Sequence, residues 1–195
     1  MSNTSTQAPR LRKADGWLAG RCKRHSDAAD LVKRLHYSRG CANTSVLASG
    51  LVSPDLDLVG AALWMPPPPG SAKWVARKYG CSSSKVITLS RMVIEDQVPK
   101  NGASFLLGWG SRELRRLGWQ VAVTFADPLE GHTGGVYLAC GWTRDGESSA
   151  APRWTDPEGR MRSRHSTKGL TVADMLSRGW GRIPGRPKPR FIKIL

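Results

Sequence analysis

Four stretches carry side chains with chemical reach: "LHYSRG" at 35–40, "VITLSRMVIED" at 86–96, "PKNGAS" at 99–104 and "TFADPLEGHTGGVYLACGW" at 124–142. In the first, His36 titrates near neutrality, so it can move a proton or ligate a metal. Tyr37 beside it can hydrogen-bond through its hydroxyl or stack on a base. The competing reading is a histidine at a helix C-terminus, where the helix dipole favours it. In the second stretch, Ser90 and Arg91 lie inside an apolar strand; a buried hydroxyl there needs a partner, and the guanidinium can meet a phosphate. Alternation sends these two to opposite faces, which argues against a single shared site. Asp127 closes an apolar strand, a place from which the core would carry a carboxylate into a cleft. The Asp-Pro pair equally suits a turn cap. His132 and Tyr137 follow within one turn and one helix, and ordinary surface and core roles fit them equally well.

In "PKNGAS" a strand feeds a helix through Asn-Gly. The first amides of a helix lack intrahelical partners and, with the dipole, suit a phosphate. Lys100, Asn101, Gly102, Ala103 and Ser104 therefore form a candidate cofactor loop, with Lys100 as an added charge. Neither GxxxxGK[ST] nor GxGxxG occurs there.

These residues need a frame. "SDAADLVKRL" at 26–35 predicts a helix capped by Ser26, with Ala28, Leu31, Val32 and Leu35 as its apolar stripe. Runs at 44–52 and 56–65 predict an antiparallel hairpin turning at "SPD". "PPPPG" at 66–70 predicts a long loop over 66–84, with a single turn near 73–78. Then follow a strand from 85, a helix with Ala103, Leu106, Leu107, Leu114 and Leu117 inward, and a second apolar strand at 120–127. A short helix at 133–141 comes next, closed by Gly141 with Trp142 packing beyond it. That strand–helix–strand–helix order predicts α/β architecture. A hairpin over 151–166 turning at Asp156 to Gly159, a helix at 171–179 capped by Thr171, and an extended tail docking through Phe191 to Leu195 complete the chain. The domain expectation is a flexible basic tail at 1–16, one catalytic domain at 17–180 and a basic tail at 181–195.

Thirty Lys and Arg against 15 Asp and Glu give a net charge of +15. Residues 1–40 hold nine basic and three acidic side chains and residues 160–195 hold ten and one, which leaves the middle neutral. Positive ends on a neutral body suit a polyanion. Solubilising tails, or nonspecific binding to ribosomes or membranes, are the alternatives. Nucleic acid is the expected partner, with Arg39, Arg112, Arg115, Arg116, Arg162 and Arg164 as the candidate backbone contacts. Cysteines at 22, 41, 81 and 140 have no CxxC spacing, which excludes a common zinc pattern and leaves a reducing cytoplasm as the default. The amino terminus lacks an apolar signal core, and no stretch predicts a membrane span.

The four stretches, in this order, resemble the Mom family of phage DNA-modification proteins, divergent relatives of the GNAT acyltransferase superfamily. The resemblance spans about residues 17–165 and includes "YLACGW", similar to a common GNAT ending. It implies a GNAT-like single domain of α/β (α+β) class, with a mixed central sheet flanked by helices. It further implies conversion of adenine to N6-(carbamoylmethyl)adenine in double-stranded DNA, which shields phage DNA from host restriction in the host cell cytoplasm. Carried over, the catalytic residues are His36, Tyr37, Ser90, Asp127 and Tyr137, with His36 and Asp127 as ligands of an iron ion. Tyr37 or Trp64 would stack on the extruded adenine, and Asp127 or His36 would accept its amine proton. The GNAT phosphate loop reads [QR]xxGx[GA], and here the leading Gln or Arg is missing, so acetyl-CoA or another acyl donor stays open. Two further readings remain: an N-acyltransferase using acyl-CoA on a small amine or protein, and a DNA-binding protein without activity.

Overall fold

The computed structural model describes residues 11–38, 40, 44–162 and 167–195. Strand β1 (Leu18–Arg21) leads to helix α1 (His25–Leu35), followed by β2 (Leu47–Val52) and β3 (Leu58–Met65). Helix α2 (Pro69–Tyr79), β4 (Val86–Ile94), α3 (Gly102–Arg116), β5 (Val121–Phe125), α4 (Gly135–Ala139) and β6 (Thr143–Glu147) come next. The chain then makes β7 (Arg153–Thr155), β8 (Met161–Arg162), α5 (Val172–Ser177), β9 (Gly181–Ile183) and β10 (Pro189–Ile194).

Seven strands form one mixed sheet in the order β1-β2-β3-β4-β5-β10-β6. Side-chain alternation splits its core into two layers. Ala28, Leu31 and Val32 of α1 pack on Ala61, Leu63 and Val93, and Val75 and Ala76 of α2 pack on Val121, Val123 and Ile192. On the other face Leu106, Leu107 and Leu114 of α3 meet Trp64, Ile87, Ala122 and Phe191. This is the mixed sheet with flanking helices expected from the sequence. Strands β4 and β5 are the parallel pair, joined only at Val86–Thr88 and Val121–Val123. Because β4 runs on to Ile94 without β5, the sheet opens at that end.

Several local expectations are corrected. Arg24 rather than Ser26 caps α1, and no side chain bonds the cap. The proline run does not prevent a helix: Pro69 occupies the first turn of α2, where a missing N–H costs nothing, and Gly80 ends it at φ 66°. Leu117 is exposed past the end of α3, and Ala103 is only half buried. Among the described residues of the expected N-terminal tail, Leu11 is buried and held at both backbone atoms by the Asn101 amide, at 2.7 and 3.0 Å. The C-terminal tip does not merely dock. It enters the sheet between β5 and β6, with Phe191 and Ile192 buried on opposite faces. Gly134 permits this, since it takes φ 82° and a Cβ there would overlap the Phe191 ring. The hairpin of β7 and β8 and the Thr171 capping box form as expected.

Candidate functional site

His36 caps α1, so the chain turns there and brings Tyr37 over the end of β5. The two rings meet at a 31° tilt with centroids 4.3 Å apart, and the Tyr37 hydroxyl donates to Asp127 Oδ2 at 3.3 Å. His132 is also beside Tyr37, 6.0 Å between centroids. Three of the five expected catalytic residues thus meet in one cluster. Sequence reasoning did not find two more members, Arg153 and Lys188. The Arg153 guanidinium bonds Asp127, reaches Glu130 Oε1 at 2.5 Å and stands 5.7 Å over the Tyr37 ring. The Lys188 ammonium is 2.6 Å from Asp127 Oδ2. Both lie outside the motif stretches, Lys188 by more than forty residues, and their basic surroundings were the only signal.

Asp127 is 3% exposed, and each of its oxygens is engaged. Oδ1 accepts the Leu129 amide, which is the turn-capping role, while Oδ2 takes Tyr37, Arg153 and Lys188. Burial alone would push the carboxyl up, but the Lys188 hydrogen bond and the charges of Lys188 and Arg153 hold it below the ordinary value. A carboxylate so neutralised is a weak base, which corrects the expectation that Asp127 accepts a proton.

For His36, burial first and then the charges of Arg91 and His132 lower the pKa to about 4. Its Nδ1 accepts the Ser38 amide at 3.1 Å, so the neutral ring carries its proton on Nε2 and presents a donor there. His36 as found therefore orients an acceptor atom rather than removing a proton. Burial and the Asp127 carboxylate push the Tyr37 hydroxyl up to about 12, keeping it a neutral donor despite the opposing charges of Arg153 and Arg91. Iron does not fit this pair. Asp127 Oδ2 faces two cations and Oδ1 takes the Leu129 amide, and the His36 nitrogen free of Ser38 carries the ring proton. No group of three metal-ligating side chains occurs among the described residues.

The shifted His36 has a consequence for stability. Between pH 6.5 and about 4 the unfolded chain binds a proton that the folded chain excludes, so stability falls as pH drops through that window. Melting temperatures measured from pH 7.5 downward should decline less steeply for His36→Gln than for the parent; parallel curves would refute this.

Ser90 and Tyr137 lie beside the opening between β4 and β5. The register slips between Leu63 and Trp64, so Ser90 is an extra residue in β4, its hydroxyl donating to Leu63 O at 3.0 Å. Arg91 bonds Gly40 O instead of a phosphate. Tyr137 is hydrogen-bonded to Thr124, and burial raises its hydroxyl pKa. Thr124 in turn donates to Leu89 O at 3.1 Å, so this chain crosses the mouth of the opening one residue before Ser90.

The candidate cofactor loop divides. The Asn101 side chain is spent on Leu11, and Gly102 is buried against Val98, its amide bonded to Pro99 O. Those two are structural, a correction. Lys100 is exposed, and Ala103 and Ser104 precede Phe105, whose amide reaches Asn101 O to begin the helical ladder. Ser104 also lines an open cavity of about 340 Å³ between α3 and α4. Arg112, Arg115 and Lys193 converge on that cavity, so two of the expected DNA contacts face a small-molecule-sized space. Arg116 is instead paired with Glu113 at 2.8 Å, and Arg162 with Asp156 at 3.1 Å while packing on Trp180. Trp64 is fully buried against Trp142, which corrects its expected stacking on a base. Arg39 and Arg164 fall outside the described residues.

Solved structures share this architecture. An IAA acetyltransferase from Bacillus cereus aligns over 92% of this chain and 99% of its own, at 11% identity and TM-score 0.55. A polyamine N-acetyltransferase from Drosophila melanogaster covers 92% and 100%, at 9% identity and TM-score 0.55. The GNAT family N-acetyltransferase YhbS from Escherichia coli, solved in complex with CoA, covers 69% and 73%, at 12% identity and TM-score 0.50. No curated protein matches the chain. These likenesses establish a GNAT-like fold. A model of the Mom protein family matches residues 20–179, most of the chain and all the site residues described above except Lys188 and Lys193, and the chain therefore belongs to the Mom protein family.

Proposed function

We propose that this protein is a transferase that modifies the exocyclic amine of adenine in double-stranded DNA, yielding N6-(carbamoylmethyl)adenine and protecting phage DNA from restriction in the host cytoplasm. The observation that carries this reading is the Tyr37 ring, 42% exposed, with His36, His132 and a guanidinium beside it. Such a platform suits a flat base extruded from the duplex, whose unstacking costs a few kcal/mol. Stacking and phosphate contacts offset that cost. The neutral donor His36 Nε2–H would face an acceptor nitrogen of the purine edge, while the Tyr37 hydroxyl stays on Asp127. Net charge supplies the attraction for the polymer.

A second reading has its own support. The α3–α4 cavity, lined by Ser104, Ser111, Arg112, Arg115 and Lys193, suits an anionic donor such as an acyl-CoA, and the fold is shared with an enzyme solved with CoA. The reaction would then be N-acyl transfer to a small amine or protein. The two readings can share a donor site, but a carbamoylmethyl group joins N6 through CH2. One-step acyl transfer therefore does not make that product.

Mass measurement of nucleosides from bacteria expressing the protein separates these readings. Modified deoxyadenosine supports the first; unmodified DNA with CoA-dependent acylation of amines supports the second; tight duplex binding with neither leaves only a DNA-binding protein. If the cavity holds the donor, Arg112→Glu/Arg115→Glu should weaken CoA binding about tenfold or more by calorimetry, through lost charge-assisted hydrogen bonds. Unchanged CoA affinity would remove the cavity from the reading.

A further inference from the structure

Between β6 and β10 the chain leaves the main sheet for some forty residues. This excursion builds a three-stranded sheet, β8-β7-β9, crossed by α5. Its strands are three, two and three residues long, and its buried apolar side chains among the described residues are Trp154 and Met175. A unit so small cannot hold its own position. Its neck is tight. Ser148 N donates to Lys188 O at 2.9 Å, and Gly185 lies so close to Ala151 that a Cβ would overlap that residue's backbone. Both ends of the excursion then converge on a single carboxylate: Arg153 at its start and Lys188 at its close share Asp127 Oδ2.

We propose that Asp127 is the latch that fixes this excursion as a nucleic-acid-binding arm beside the Tyr37 platform. The inference rests on the DNA reading above and assigns a surface and a positioning residue within it. Residues 151–188 hold nine basic and three acidic side chains. The acidic ones are used internally: Asp156 holds Arg160 and Arg162, Glu158 holds Arg160, and Asp174 caps α5. Lys168, Arg182 and Arg186 are exposed and make no ion pair among the described residues, so their charge is left for an outside partner. Spaced cations of this kind suit the phosphates of a duplex. Arg153 also stands over Tyr37, so the same ion pair that sets the arm sets the platform. Buried and neutralised by two cations, Asp127 is better suited to this work than to proton transfer.

The test measures duplex affinity and limited trypsin digestion on the full chain. Asp127→Asn should bind duplex DNA about tenfold more weakly at moderate salt and be cut first within 151–188. Wild-type affinity with an undisturbed digestion pattern would overturn the latch. If Asp127→Asn fails to fold, Arg153→Gln carries the same measurement. Arg182→Glu/Arg186→Glu, which leaves the latch intact, should weaken binding and lower the slope of log affinity against log salt by about 2; unchanged affinity and slope would overturn the arm. Nucleoside mass measurement on the parent reports separately on adenine modification, so an inactive protein that binds DNA through this arm would sink the functional reading alone.

Discussion

Tyr37→Ala should lower adenine modification of duplex DNA by about two orders of magnitude, whereas Tyr37→Phe should keep activity within about tenfold of the parent. The hydroxyl of Tyr37 is occupied by Asp127 and stays protonated, so its removal loosens the ring without removing the platform. The ring itself is the exposed surface beside His36 and His132. Losing a stacking partner costs roughly 1–3 kcal/mol per base, and the extruded base would then also lack orientation. Nucleoside quantification over a time course reads both variants. Equal loss in the two would mean that the hydroxyl, not the ring, matters, and Tyr37 would be a chemical group rather than a platform.

The largest stability effect belongs to Trp64→Ala, which should cost about 3–5 kcal/mol in chemical denaturation. Trp64 is fully buried in the α3 face of the sheet, stacked on Trp142 at 6.4 Å between centroids. Its indole N–H donates to Ser49 Oγ at 3.1 Å, so truncation also leaves a buried hydroxyl short of a partner. Gly110 of α3 approaches the same ring, and a Cβ there would come within 3.0 Å of it. The helix therefore cannot collapse freely into the cavity that alanine would leave. A midpoint within 1 kcal/mol of the parent would show that the pocket repacks.

What the sequence could supply was local. Short apolar runs on either side of the "SPD" turn signal predicted the β2–β3 hairpin, because such runs and their turn can be read without a distant partner. Thr171 announced α5, since a capping box is written within four residues. The same locality explains the misses. Four prolines argued against a helix, yet the last fits a first turn, and burial of Val75 and Ala76 against the sheet decides the outcome. Phe191 and Ile192 looked like the tip of a tail because their strand partner, β5, lies more than sixty residues earlier.

The same division runs through the site. Residue order alone brought out His36, Tyr37, Asp127 and Tyr137 as chemically capable, and the basic flanks as surfaces for a polyanion. Tertiary structure decided their roles. It set Ser90 and Tyr137 at the opening of the sheet and placed His36 and Tyr37 at the tip of β5. It also surrounded Asp127 with Arg153 and Lys188, 26 and 61 positions away along the chain. A side chain's type states what it can do in water. Its proton affinity and its free lone pairs depend on which distant charges the fold brings beside it, and no local pattern encodes that.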